Sequence, residues 1–122
     1  PSRVAAIIIE PVQGEGGFNV APTELMVALR QLCTQHGVVL IADEILTGLG
    51  RTGRWFACEH ADVVPDVLCV GKSLGGGLPL SACIGTEAVM SAWGRSRGDA
   101  RHTSTHLGNP MACAAACATT CA

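Results

Sequence analysis

Two short apolar runs joined by one amphipathic helix constrain this chain more than any other feature. Residues 4–9 form a β-branched run that reads as a strand buried on both faces, and Glu10-Pro11 ends it. A glycine-rich loop follows. From residue 22 to 36, Leu25, Val27, Ala28, Leu29 and Leu32 fall largely on one helical stripe, and Gly37 supplies the stop. Residues 38–42 are the next strand. Strand, helix and strand at this spacing predict a right-handed crossover in a parallel sheet, hence an α/β fold. The pattern then continues less regularly. A glycine-punctuated loop covers residues 47–53, a short segment 55–60, a strand 67–70 and a further short strand 82–85. Residues 87–93 suggest a helical turn or two and residues 94–102 a polar surface loop. Asn109-Pro110 is a favourable helix start, because asparagine caps free amides and proline suits the first helical position. There is no internal repeat and no low-complexity linker.

Composition narrows the function classes. With 122 residues, 48% hydrophobic and 15% charged, the chain is globular and holds one domain at most. A net charge of -2 without a basic cluster gives no electrostatic footprint for nucleic acid. No apolar run approaches the ~20 residues that cross a bilayer, and no signal peptide opens the chain, so the expectation is a cytoplasmic protein without a membrane partner. A start at Pro1 and a final run that still reads as helix at its last residues lead us to expect an internal piece of a longer protein. Seven cysteines, none in a C-x-x-C pair, imply reduced thiols rather than a disulfide framework or zinc ribbon. Cys113, Cys117 and Cys121 share one helical face. In an alanine-rich helix they read as small buried hydrophobes, and no metal site is expected.

In open α/β sheets the binding crevice lies beyond the carboxyl ends of the strands, which here deliver Glu10, Asp43 and Lys72. Each alone is equally well a solvated strand-end charge. Asp43 follows Val-Val-Leu-Ile-Ala directly, where an ionised carboxylate is costly unless paired. Lys72 lies between Gly71 and a run with glycines at 75, 76 and 77, which lets backbone approach a bulky group such as a cofactor. A nucleotide-binding P-loop needs glycine five residues before Gly71, where this chain has Asp66, and its glycines would precede the lysine instead of following it.

Four blocks carry a specific resemblance. They are residues 10–17 (EPVQGEGG), residues 40–44 with 47–53 (LIADE, then TGLGRTG), residues 71–79 (GKSLGGGLP), and Thr103-Ser104-Thr105 leading into Gly108-Asn109-Pro110. In order and spacing the chain resembles class III (omega) aminotransferases, a family that includes acetylornithine, ornithine, 4-aminobutyrate and putrescine aminotransferases. The resemblance implies part of the large cofactor-binding domain of a fold-type I pyridoxal-phosphate transferase, a mainly parallel sheet flanked by helices. It also implies pyridoxal 5'-phosphate as cofactor, a homodimer, and a ping-pong transfer of an amino group from an amine or amino acid donor to a 2-oxo acid acceptor.

Residue by residue, Lys72 matches the lysine that bonds the cofactor aldehyde and later shuttles the substrate proton. Asp43 matches the carboxylate that keeps the pyridine nitrogen protonated. Ile45 matches an apolar position against the ring face, though ordinary core packing explains it equally well. Thr105 matches a threonine that reaches the phosphate of the partner subunit's cofactor, a role Ser104 could mimic. Glu15 matches a glutamate that swings aside for the second substrate's carboxylate. Glu44 and Arg51 read as structural. Leu46 stands where many members have a glutamine that hydrogen-bonds the cofactor's phenolic oxygen, which leucine cannot do. Aminomutase or decarboxylase chemistry on the same fold is an alternative, as is a cofactor-binding domain that has lost activity. Retention of both Lys72 and Asp43 argues against the last.

Overall fold

The computed structural model describes residues 3–98 and 102–121. The crossover forms as the sequence expects. Strand β1 (Ala6–Ile9) leads through a small hairpin, β2 (Val12–Gln13) and β3 (Asn19–Val20), into helix α1 (Thr23–His36) and then strand β4 (Val39–Asp43). Pairing of β1 with β4 is parallel, with Ala6 opposite Val39 and Ile9 opposite Ala42. Helix α1 ends where Gly37 turns left-handed at φ 63° and returns its amide to the Cys33 carbonyl. A side chain there would meet its own backbone, which is why glycine stops the helix.

Two 3₁₀ turns, Ala57–Ala61 and Lys72–Gly75, bracket strand β5 (Val67–Val70). Strand β6 (Ala82–Gly85), helix α2 (Glu87–Ser91) and helix α3 (Pro110–Cys121) complete the chain. The main sheet has the order β1-β4-β5-β6. Its first three strands are parallel, and β6 returns antiparallel on β5. A connection of only eleven residues, most of them in the 72–75 turn and the loop after it, is too short to carry the chain back for a parallel pairing. The expected loop over residues 94–102 is exposed as far as Gly98, and residues 99–101 lie outside the described residues.

Two apolar clusters hold the layers together. Met26 and Cys33 of α1 pack with Val38 and Leu40 of the β4 segment and with Cys58, Ala61 and Val63. Val70 and Leu74 pack with Ala116 of α3, which presses that helix onto the Lys72 turn. Asp66 adds a polar tie: its Oδ2 accepts from the Leu40 amide at 2.7 Å and from Arg30 of α1 at 2.8 Å.

Three expectations need correction. Strand β1 is not buried on both faces, since Ile8 is 63% exposed. It is the outer strand of the described sheet, and its odd and even positions differ in burial. In α1 the buried residues are Met26 and Cys33, with the expected Val27 and Leu29 half-buried against the same cluster, while Leu25 and Leu32 face outward. The i, i+3/4, i+7 spacing that meets the sheet starts one residue later than hydrophobicity alone suggests. In α3 the buried residues are Ala112 and Ala116, so Cys117 and Cys121 are exposed and Cys113 is half-buried, not core. Small alanines allow the close approach to the Lys72 turn that the thiols would hinder.

Candidate active site

The parallel register brings the acid and the amine to one edge. Asp43, the last residue of β4, is opposite Cys69 of β5, and the Glu44 amide donates to the Cys69 carbonyl at 2.9 Å. Three residues after Cys69 the chain reaches Lys72, the only lysine in the sequence. Its backbone is left-handed, with φ 39°, and it opens the 3₁₀ turn Lys72–Gly75. Positive φ in a non-glycine residue costs about 1–3 kcal/mol and persists only where the surroundings impose it. Here the Leu74 amide closes onto the Gly71 carbonyl at 2.9 Å, Leu74 is buried under α3, and Arg51 Nε donates to Ser73 Oγ at 2.7 Å. Lys72 itself remains exposed.

Asp43 is half-buried, and its Oδ1 accepts the Ile45 amide at 3.1 Å. Among the described residues it has no ion-pair partner. Ile45 lies against Gly71: a Cβ on that glycine would stand 3.4 Å from Ile45 Cγ2 and 3.6 Å from Ser81 Cβ. The glycine therefore lets the Ile45 side chain sit beside the backbone that leads to Lys72. A cavity of about 430 Å³ opens on the other side of the lysine, lined by Lys72, Leu78, Ser81, Ser104, His106 and their neighbours. Asp43 and Ile45 do not line it, and neither does Thr105, which lies exposed in the turn next to Ser104.

Glu15 is exposed in the turn of the β2–β3 hairpin. Two contacts bring that hairpin to the same edge of the sheet: Glu10 Oε2 accepts the Gly14 amide at 3.1 Å, and Leu46 packs so tightly over Gly14 that a Cβ there would overlap it. Leu46 thus has a packing role in place of a hydrogen bond. Glu44 is 1% exposed and accepts from the Ala57 amide at 3.0 Å, the Cys58 amide at 2.8 Å and the Thr47 hydroxyl. This agrees with its reading as structural. Burial, with Glu44 close by, pushes the Cys58 thiol up to about 12.

His106 and Ser81 were not singled out by sequence, yet both line the cavity with Lys72. For His106 a signal existed, because a titratable side chain directly follows the Thr103-Ser104-Thr105 block. Among the described residues no group of three or more His, Cys, Asp or Glu could hold a metal ion, and no helix is long and apolar enough to cross a membrane.

A parallel sheet that delivers a carboxylate and a strained lysine turn to one carboxyl edge defines an α/β protein built around an amine. The chain belongs to the class-III aminotransferases, whose family model matches residues 1–121. That family is one of pyridoxal-phosphate-dependent enzymes. Over 111 residues the chain is 53% identical to an acetylornithine aminotransferase of Methanopyrus kandleri, and over 117 residues it is 55% identical to a putrescine aminotransferase of Pectobacterium atrosepticum. These matches cover 91% and 95% of this chain but 28% and 25% of the relatives, so the chain spans about a quarter of their length. An ornithine aminotransferase structure from Toxoplasma gondii superposes with a TM-score of 0.86 at 47% identity, covering 95% of this chain and 26% of that one. For the Plasmodium yoelii ornithine aminotransferase the values are 0.84 and 39%, with 95% and 30% covered.

Proposed function

We propose that the protein carrying this chain is a pyridoxal-phosphate-dependent aminotransferase that moves an amino group from an amine or amino acid to a 2-oxo acid. The observation that carries this reading is the one lysine of the chain, held in a strained turn at the same sheet edge as a half-buried carboxylate that has no ion-pair partner among the described residues. A carboxylate in that setting calls for a positive partner, and a protonated pyridine nitrogen is one. The donor set therefore fits the cofactor: an amine for its aldehyde, a carboxylate for its ring nitrogen, an aliphatic face at Ile45 and a hydroxyl at Ser104 for its phosphate, with the Thr105 hydroxyl available to the phosphate of a second subunit's cofactor. When bound, the cofactor supplies an electron sink for the carbanion that forms at the substrate carbon.

The rest of the chemistry belongs to the chain's own side chains. Lys72 would hold the cofactor through its Nζ, and the same atom, when free, would take and return the substrate proton. Asp43 holds the ring nitrogen's proton in place. Thr105, exposed and not among the residues that line the Lys72 cavity, suits a role toward a second subunit, and with it a homodimer. Glu15 would admit or exclude a substrate carboxylate, a role that its exposed position on the hairpin supports. A cytoplasmic location goes with seven free cysteines.

Borohydride reduction of the intact protein followed by peptide mapping tests the assignment. The cofactor's mass is expected on the peptide that contains Lys72, after which trypsin no longer cleaves, and is lost in Lys72→Ala, while Asp43→Asn keeps the label and loses turnover by at least about 10²-fold. A label on a lysine outside this chain, or an Asp43→Asn protein with unchanged single-turnover rates, overturns it.

A further inference from the structure

The β5–β6 pairing places two cysteines directly opposite each other, Cys69 on β5 and Cys83 on β6. In an antiparallel ladder, opposed residues alternate between hydrogen-bonded and non-hydrogen-bonded pairs, and only the latter bring side chains to their closest approach. The carbonyl of Cys69 accepts from Glu44, so its peptide group faces β4 and not β6. The Thr86 amide donates to the Asp66 carbonyl, which puts the hydrogen-bonded rungs of β5–β6 at even positions of β5. Cys69 and Cys83 therefore occupy a non-hydrogen-bonded rung. Cα atoms on such a rung are about 4.5 Å apart. That lies at the short end of the ~4.4–6.8 Å range that a disulfide spans. Opposed residues of a ladder project from the same face of the sheet, so the two side chains point the same way.

We propose that Cys69 and Cys83 form a redox-active dithiol that low-molecular-weight disulfides convert to a cross-strand disulfide. The exposed Cys83 is the point of first attack. Its thiolate displaces one thiolate from the small disulfide and forms a mixed disulfide. The Cys69 sulfur, losing its proton to solvent, then attacks the Cys83 sulfur and releases the second thiolate. The protein gives up two electrons and two protons, and the small disulfide becomes two thiols. Burial and the nearby Cys83 and Asp43 raise the Cys69 thiol above its ordinary value, which keeps it protonated and leaves the first attack to the exposed Cys83; in the second step the opposed sulfur is already in reach. Among the described residues no other two cysteines are opposed in a strand pairing: Cys33 and Cys58 are buried in the apolar cluster that holds α1, out of reach of a small disulfide, and Cys113, Cys117 and Cys121 follow one another along α3.

The inference stands on strand register alone and does not depend on the aminotransferase reading. Its test uses the intact, reduced protein incubated with oxidised glutathione, quenched with acid, alkylated under denaturing conditions and digested with trypsin. Cleavage after Lys72 puts the two cysteines on different peptides, so only a disulfide keeps them together. A linked pair two hydrogens lighter than the sum of its peptides, released by dithiothreitol, is the expected result. In Cys69→Ala the reaction is expected to stop at a glutathione adduct on Cys83, and in Cys83→Ser it is expected to leave Cys69 open to alkylation. Persistence of the Cys83 adduct in the unsubstituted protein, or alkylation of both cysteines while others oxidise, would overturn the proposal.

Discussion

At the scale of single residues, the buried carboxylate of Glu44 decides more of the structure than its neighbour Asp43. It collects two backbone amides and a hydroxyl from a segment 3 to 14 residues away and so fixes the path of the loop between β4 and the 57–61 turn. Glu44→Ala leaves both amides unpaired in the interior, with an expected loss of about 2–5 kcal/mol. Urea denaturation measures this, and a loss below 1 kcal/mol would show that water replaces the carboxylate. Asp66 supplies a pH dependence. Burial alone would raise its pKa, but the Leu40 amide and the Arg30 guanidinium outweigh this and hold it below the ordinary carboxylate value. A depressed folded-state pKa adds stability that is present above the unfolded value and is lost as pH falls through the folded one. Asp66→Asn should therefore be less stable than the parent at neutral pH, with the two curves converging under acid below the ordinary carboxylate range. Parallel curves across that range would contradict the assignment. Sequence singled out Asp43 and Lys72 because each comes within two residues of the end of an apolar run. It could not reveal the Glu44 network, whose donors Ala57 and Cys58 have nothing in their side chains to announce it.

At the scale of elements, the turn that presents Lys72 depends on contacts from three others. Residues 47–53 reach it through Arg51, the turn after β4 through Ile45 against Gly71, and α3 through Ala116 against Leu74. The order of strands and helices was legible because periodicity and glycine stops are local. These three contacts were not, because each joins residues 22 to 42 positions apart. Sequence placed the cysteines of α3 in the core for the same reason: spacing identifies a face but not the neighbour that selects it. Arg51→Ala should free the strained turn. Amide exchange at Leu74 and Gly76 is expected to quicken about tenfold, in line with one charge-assisted hydrogen bond of ~1.5 kcal/mol. Arg51→Lys, which keeps charge but not the guanidinium geometry, should recover only part of the protection. Unchanged exchange in Arg51→Ala would leave the apolar contacts as the sole support of the turn.

At the scale of the molecule, the sheet that carries the site has outward-facing apolar side chains on both flanks. Ile8 on β1 is 63% exposed and Ile84 on β6 is 55% exposed, and both strands are edges of the described sheet. Unpaired edges of this kind recruit other strands. The chain corresponds to about a quarter of its aminotransferase relatives, and Lys72 looks onto a cavity open to solvent. Transfer chemistry relies on holding reacting groups in place, which supplies as much as ~7–11 kcal/mol of barrier reduction in well-oriented systems. A cofactor held by the amine of Lys72 alone, with its phosphate and the substrate carboxylate unsupported, forfeits most of that. Expressed by itself, the 122-residue chain is therefore expected to self-associate through its sheet edges and to transfer no amino group, even where some cofactor collects on Lys72. Sedimentation separates the first expectation from the second, and half-reaction spectroscopy with an amine donor and a panel of 2-oxo acids reads the second against the intact protein. A monomeric chain that turned over at a comparable rate would mean that the strained turn and its carboxylate suffice as a catalyst, and that the remaining three quarters of the relatives' length serves some other purpose.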